Sequence, residues 1–389
     1  MNKPIRATTI VCLLAIMLTL TCWPDFSLAD ESFQWTEPAN VSQSLSESEG
    51  PVIVSGSDGK THIVWEEEGV LVRSCLDGET WTDPLPFFVG EFPAACVEGS
   101  TLHLVWVDEI EGVQEILYSS WGAGVWTPPV NVSYTDGDCT SPAMGVTSGG
   151  RLHVAWGDDT PGYPCIYRAY SDNGALWAVG PIPNAAGQAP CIAVDSHDVV
   201  HVAWHDRFLP EEPNHIYHSQ WDGEEWSWAT DVSDSLNDAT FPQALVDLAG
   251  SVHLVWGEVV GEISIVRHSL LRAGDYWTLP TDVSSAGVDA WAPRLVLDGD
   301  GQVAAAWNEA DKLSFCFRDQ ASGDWLTPDV IVEDATGVNE VAIAAGTGGG
   351  LQAAWSGPGG AGREIYYSRG TVGTAPETLL MLPLVFRGL

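Results

Sequence analysis

Three features of this 389-residue sequence predict an all-β fold arranged as a closed ring of seven repeats. Composition is the first: 40 Gly, 24 Pro and 19 Trp against only 4 Met, with almost no run of good helix formers, favour strands and turns. The second is a phrase that recurs seven times, His-Ile-Val-Trp up to Trp65, with counterparts ending at Trp106, Trp156, Trp204, Trp256, Trp307 and Trp355, 41 to 52 residues apart. The third is its surroundings. A Pro-led apolar run (Pro93 to Val97, Pro142 to Val146, Pro190 to Val194, Pro242 to Val246, Pro293 to Leu297) and a Gly-containing turn precede the phrase. A segment such as Ile216-Tyr-His-Ser and another such as Trp126-Thr-Pro-Pro-Val-Asn-Val-Ser follow it. Four short strands per unit make each repeat one blade of a β-propeller.

The elements follow in chain order. Lys3 and Arg6 precede an apolar stretch from Ile10 to Leu20, and Ser27-Leu28-Ala29 supplies the small residues of a cleavage site, so residues 1–29 read as a signal peptide. The expectation is a secreted or cell-surface protein exported by a bacterial-type route. No other stretch is long and apolar enough for a membrane-spanning helix. Export to an oxidising compartment makes disulfides possible among Cys75, Cys96, Cys139, Cys165, Cys191 and Cys316. A Cys139–Cys165 or Cys165–Cys191 bridge is considered, while Cys75, Cys96 and Cys316 read as buried thiols.

The propeller is expected to occupy residues 30–370. Its seventh unit stops after a third strand ending at Ser368, while the chain begins with an orphan Trp35-Thr-Glu-Pro-Ala-Asn-Val-Ser that matches Trp126 to Ser133. Residues 33–43 therefore complete the last blade and close the ring, which removes the sheet edges an open array would expose. A monomer is expected. Inner and outer repeat Trp residues account for 14 of the 19, as packing residues. In such a ring both faces of each blade are covered, so the recurring His62, His103, His153, His201 and His253 fall between blades and need hydrogen-bond partners.

The turns between third and fourth strands carry a further signal. Tyr170-Ser-Asp172-Asn-Gly174-Ala-Leu-Trp177 and Ser219-Gln-Trp-Asp222-Gly223-Glu-Glu-Trp226 are similar to the S-x-D-x-G-x-x-W box of the sialidase-like, or BNR/Asp-box, propellers. The resemblance implies a propeller whose boxes lie away from the active face. It also implies, for sialidases, an arginine triad, a Tyr/Glu pair and an acid/base Asp. This chain departs from that pattern: it has no Arg-Ile-Pro motif, and Arg207 is the single Arg in a loop between second and third strands. Sialidase chemistry is therefore not expected. Residues 371–389 end in Leu-Pro-Leu-Val-Phe-Arg387-Gly-Leu, which resembles the LPLVxR-type tails of exported proteins and reads equally as a hydrophobic cap or an attachment tag.

Charge bounds the partners. With 53 acidic and 15 basic residues the formal charge is −38, which opposes nucleic acid and anionic lipid. Two residues after each repeat Trp stand Glu67, Asp108, Asp158, Asp206, Glu258 and Glu309, with Gly357 the exception. These aim a carboxylate at the face carrying the second-to-third and fourth-to-first loops, together with Glu91, Asp136, Asp138, Asp234, Asp238 and Asp289. Two readings stand: a negatively charged ligand face, whose oxygen ligands suit a hard cation such as Ca²⁺, or acids that accept backbone N–H groups as turn caps.

Blade four breaks the repeat with the longest second-to-third loop, His205-Asp-Arg-Phe-Leu-Pro-Glu-Glu-Pro-Asn-His215. Insertions on the binding face of a repeat protein carry function. The candidate ligand-binding residues are Asp158, Tyr163, His205, Asp206, Arg207, Phe208, His215 and Trp291, with Phe92 and Phe241 as further stacking surfaces. No catalytic residue and no metal ligand is assigned, although His205, Asp206 and His215 are of metal-binding type. The expected function is an exported module that binds an extracellular glycan or protein through its acidic loop face. The alternatives are a carbohydrate-active enzyme, either a polysaccharide lyase using His205, His215 and Tyr163 as acid and base or a sialidase-like glycosidase, or a cell-envelope scaffold.

Overall fold

The computed structural model describes residues 33–372 apart from Phe208, Pro210, Ala273, residues 347–349 and Ala361. The leader assigned to residues 1–29 lies outside them, as does the tail assigned to residues 371–389 except for Thr371 and Val372, which belong to the last strand. The described chain is all strand and turn, in seven antiparallel blades. The innermost strands are Ser48–Ser55, Glu91–Glu98, Cys139–Val146, Gln188–Val194, Asp238–Val246, Ala290–Leu297 and Glu340–Ala345. In each blade the second strand carries the repeat phrase; in blade four it is Val200–Asp206, followed by His215–Trp221 and Thr230–Asp231.

Ring closure is made by the N-terminal segment. Phe33–Trp35 pairs antiparallel with the last strand, Arg363–Val372, in the register Phe33 to Val372 and Trp35 to Gly370, and Ala39–Asn40 pairs with the same strand at Tyr367 and Tyr366. The outer strand is split there by Pro38, as it is by Pro84 in blade one and by the Pro128-Pro129 pair in blade two, because proline cannot donate to a ladder.

The core is divided among the interfaces between blades. Seven apolar clusters among the described residues each join one blade to the next, the last joining blade seven to blade one. In blade one, Ile63 and Trp65 pack toward blade seven while Val64 packs toward blade two. Successive side chains of a strand point to opposite faces, and here each face meets a neighbour, so the phrase shows no polar alternation. All seven phrase-ending Trp residues are buried.

The recurring His finds its partner on the third strand of its own blade. His62 Nδ1 lies 2.8 Å from Arg73, His103 Nδ1 2.8 Å from the Tyr118 hydroxyl, His201 Nδ1 3.1 Å from His218, and His253 Nδ1 3.0 Å from His268. His153 stacks on Tyr170. Blade seven has Gln352 there, and its Oε1 accepts from Tyr367. Blade six replaces the pair with Ala304 and Phe315, both buried and apolar. Polar faces polar and apolar faces apolar at this site because an unpaired buried polar group costs about 1–3 kcal/mol. Ala304→His should therefore lower unfolding free energy by about 2 kcal/mol in urea titrations, and Phe315→Tyr in that background should recover part of it. A neutral Ala304→His would contradict this account.

The box-like turns are local hydrogen-bonded turns. Asp222 Oδ1 accepts from the Glu224 and Glu225 amides, each at 2.9 Å, and Ser171 Oγ accepts from the Gly174 amide at 2.9 Å.

Candidate functional site

The loop face is shaped by a repeated irregularity at the start of six inner strands. Gly50, Phe92, Ser141, Ala189, Phe241 and Ala292 each precede a proline and adopt φ between +49° and +59°. At each of these steps the pairing with the second strand shifts register. The bulge leaves one backbone N–H outside the ladder, which is where a proline is tolerated. It also turns Phe92 and Phe241 out to the surface. Blade seven has no proline at this place and shows no shift.

Most carboxylates of the acidic face have structural partners. Asp158 is buried and takes the Trp156 indole N–H at 3.1 Å and the Thr160 amide at 2.8 Å. Glu258 accepts from Ser235 Oγ, Asn237 Nδ2 and the Trp256 indole. Glu309 accepts from the Ser285 amide and Ser314 Oγ, both at 2.8 Å. A second set latches blades three, five and six to the one before: Asp138 accepts from the Gln114 amide, Asp238 from Asn214 and Asp289 from the Ser264 amide. Of the two readings of these acids, the cap reading describes this geometry.

At blades one, five and six a loop bearing Ser, at Ser44, Ser235 or Ser285, lies over the carboxylate that follows the repeat Trp. Two crossings are a single residue instead: Gly90, between strands Leu85–Val89 and Glu91–Glu98, and Gly187, between strands Ala178–Ala186 and Gln188–Val194. Gly187 has φ +133°, and a β-carbon there would come within 2.5 Å of both the Trp204 ring and the His205 carbonyl. With no loop above it, the end of blade four opens into a cleft of about 550 Å³ lined by Tyr163, Gln188, His205, Asp206, Arg207 and Asn214 among others.

The groups in this cleft are set by their surroundings. His205 is buried, its Nδ1 accepts from the Phe241 amide at 3.3 Å, and its ring meets Phe241 edge-on at 5.2 Å. Burial lowers its pKa to about 4, so at neutral pH the ring is uncharged and Nε2 carries the proton. Burial likewise raises the Asp206 pKa, against a backbone hydrogen bond from Arg207. Tyr163 is exposed.

Of the eight residues singled out in the sequence, Tyr163, His205, Asp206 and Arg207 come together in this cleft. Asp158 belongs to the packing beneath the face. His215 sits at the other end of the inserted loop with Nδ1 2.8 Å from Asp231. Trp291 lines a second pocket, of about 450 Å³, with Phe241, Arg294 and Glu340. Phe208 lies outside the described residues. His205 and Asp206 are successive strand residues, so their side chains leave opposite faces, and among the described residues no group of three or more His, Cys, Asp or Glu is placed to hold a metal ion.

The disulfides considered from sequence are corrected by the strand register: all six cysteines in the described chain are free. Cys139 and Cys165 both pair with Asp158, from opposite sides. They are two strand spacings apart, about 9–10 Å, beyond what a disulfide spans. Burial pushes the Cys139 and Cys191 thiols up to about 12, so both stay protonated. Cys75 and Cys316 are buried and Cys96 is half-buried.

Gln188 and Asn214 were not marked by sequence reasoning, since neither stands out from the repeat. Arg294 was also missed. It lines the axial channel, about 400 Å³ in volume, together with Glu340 of the neighbouring blade. A signal for it existed: it is the one basic residue in the five Pro-led runs.

No protein-family model matches the sequence, and no curated protein does. Solved structures share the fold. A protein of unknown function from Dyadobacter fermentans is 14% identical, with 88% of this chain and 99% of that one aligned at a TM-score of 0.55. A polysaccharide lyase described as an ulvan lyase, bound to -[GlcA(1-4)Rha3S]-, is 10% identical over 85% of this chain and 95% of its own, at 0.61. A virginiamycin B lyase from Staphylococcus aureus, with quinupristin, is 13% identical over 87% and 99%, at 0.57. At such identities the likeness is one of fold.

Proposed function

We propose that this chain is an exported glycan-binding β-propeller that takes a carbohydrate in the cleft between blades three and four. The observation that carries the reading is the composition of that cleft: an exposed Tyr163 ring in a cleft also lined by Asp206, Gln188 and Asn214. A sugar ring offers C–H faces to an aromatic side chain and hydroxyls to carboxylate and amide groups, which is the division of labour found here. The ulvan lyase neighbour holds a sugar chain on the same fold, which supports the substrate class. The basic and apolar N-terminal segment supports export, and residues 373–389 would serve as the attachment element.

Binding is favoured over glycoside hydrolysis because, among the described residues that line the cleft, Asp206 is the only carboxylate. A lyase reading has one observation in its favour: His205, Tyr163 and Arg207 line the same cleft, and burial keeps the His205 ring neutral. The test is titration calorimetry of the purified chain against a panel of glycans. A ligand should be found whose affinity falls about tenfold in Tyr163→Ala and in Asp206→Asn, without a change in melting temperature. Affinity unchanged in both variants would overturn the site. Release of unsaturated sugar ends, lost in His205→Ala, would replace binding with lyase activity.

A further inference from the structure

Trp228 stands apart from every other Trp of the described chain. The others are buried or half-buried, whereas Trp228 is 82% exposed. It follows the repeat residue Trp226 by two positions, where the corresponding outer segments have Glu37, Asp83, Pro128, Val179, Leu279 and Thr327, so the packing of the blade does not call for it. An indole left in water forgoes on the order of 2–3 kcal/mol of burial. Close by, Tyr276 is 88% exposed and Leu279 76% exposed. All three line one groove of about 390 Å³ on the outer strands of blades four and five.

The remaining walls of the groove mix apolar and polar groups. Val232, Leu271 and Trp277 contribute apolar surface, Gln220, Asp231, Asp234 and Asp275 line it with Thr and Ser hydroxyls, and no Lys or Arg lines it among the described residues. Exposed aromatic rings between hydrogen-bonding side chains match the alternating C–H faces and hydroxyl edges of a polysaccharide. The carboxylates repel uronates and sulfated sugars, and nothing lining the groove would neutralise an anionic ligand. We infer that this rim groove is a second carbohydrate site, one that takes an uncharged polysaccharide by stacking on Trp228 and Tyr276. It shares no lining residue with the cleft between blades three and four and does not depend on that cleft's role.

Hexasaccharides of β-1,4-glucan, β-1,4-xylan and β-1,4-mannan, with polygalacturonate as the anionic comparator, test this on the full chain. Acrylamide quenching of tryptophan fluorescence is the readout, and Trp228→Phe isolates the contribution of the exposed indole. At least one neutral hexasaccharide should protect Trp228 from quenching. Calorimetry should show that ligand bound about tenfold more weakly by Trp228→Ala and by Tyr276→Ala. Both side chains are exposed, so the variants should melt as the parent does. Tyr163→Ala and Asp206→Asn should leave this binding within about twofold, which separates failure of one site from failure of the other. The inference is overturned if no neutral hexasaccharide binds, if the two groove variants bind as the parent does, or if polygalacturonate binds equally well.

Discussion

Removal of residues 33–43 is expected to prevent the chain from folding to a stable ring. The segment enters two interfaces at once. Phe33 and Trp35 pack on Phe315 and Phe317 of blade six, with ring centroids 5.2 to 5.4 Å apart, and Val41 is buried between blades seven and one. Each such side chain contributes about 1.5–3 kcal/mol by burial. The pairing with Arg363–Val372 adds two short ladders, and Ser42 Oγ accepts from the Ile365 amide. Together these approach the whole 5–15 kcal/mol by which domains are stable. Without them the outer edge of blade seven is unpaired, so association should accompany unfolding. Circular dichroism melts and gel filtration of the deletion, beside the milder Trp35→Ala, decide the matter. A deletion variant that stays monomeric and melts within a few degrees of the parent would remove the closure argument.

Acid should destabilise the ring well before its carboxylates titrate. Burial is the leading cause that holds His62, His153, His201 and His205 to pKa values of about 4, and it lowers those of His218 and His268 well below the ordinary imidazole value. In the unfolded chain an imidazole titrates near 6.5. Between these values the unfolded state binds more protons than the folded one, so stability is complete above about pH 6.5 and is lost as pH falls toward 4. At pH 5 each ring with a value near 4 withdraws about 2 kcal/mol. The opposing effects, relief of the −38 net charge and protonation of Glu66, Asp108 and Asp206, whose pKa values burial raises, depend on carboxylates and arise mainly lower on the scale. The melting temperature should therefore drop by at least about 10 °C between pH 7.5 and 5. His153→Gln, which keeps a neutral polar group, should flatten the curve by one proton. A melting temperature that is level or rising over that interval would contradict the buried neutral imidazoles.

The ring itself was legible in the sequence because its cause is local and repeated. A propeller blade needs the same four strands and the same buried Trp each time, so the pattern recurs, and the missing outer strand of unit seven was matched by the surplus one at Trp35. The insertion at His205 to His215 was legible for the same reason, as a departure from a regular background. What the acidic residues do was not legible. Asp138, Asp158 and Asp238 look alike in sequence, yet one is buried against an indole and two latch neighbouring blades, because each choice depends on which amide the adjoining loop brings within reach. The cysteines likewise suggested bridges until the register put one strand between Cys139 and Cys165. Tertiary structure alone decided where the face opens: Gly187, like Gly90, crosses between blades in a single residue, but it is at blade four that Tyr163, His205, Asp206 and Arg207 from two blades line one cleft. A repeat specifies its own packing, because each unit meets the same neighbours. A cleft depends on what the chain leaves uncovered, which is settled only when all seven blades stand side by side.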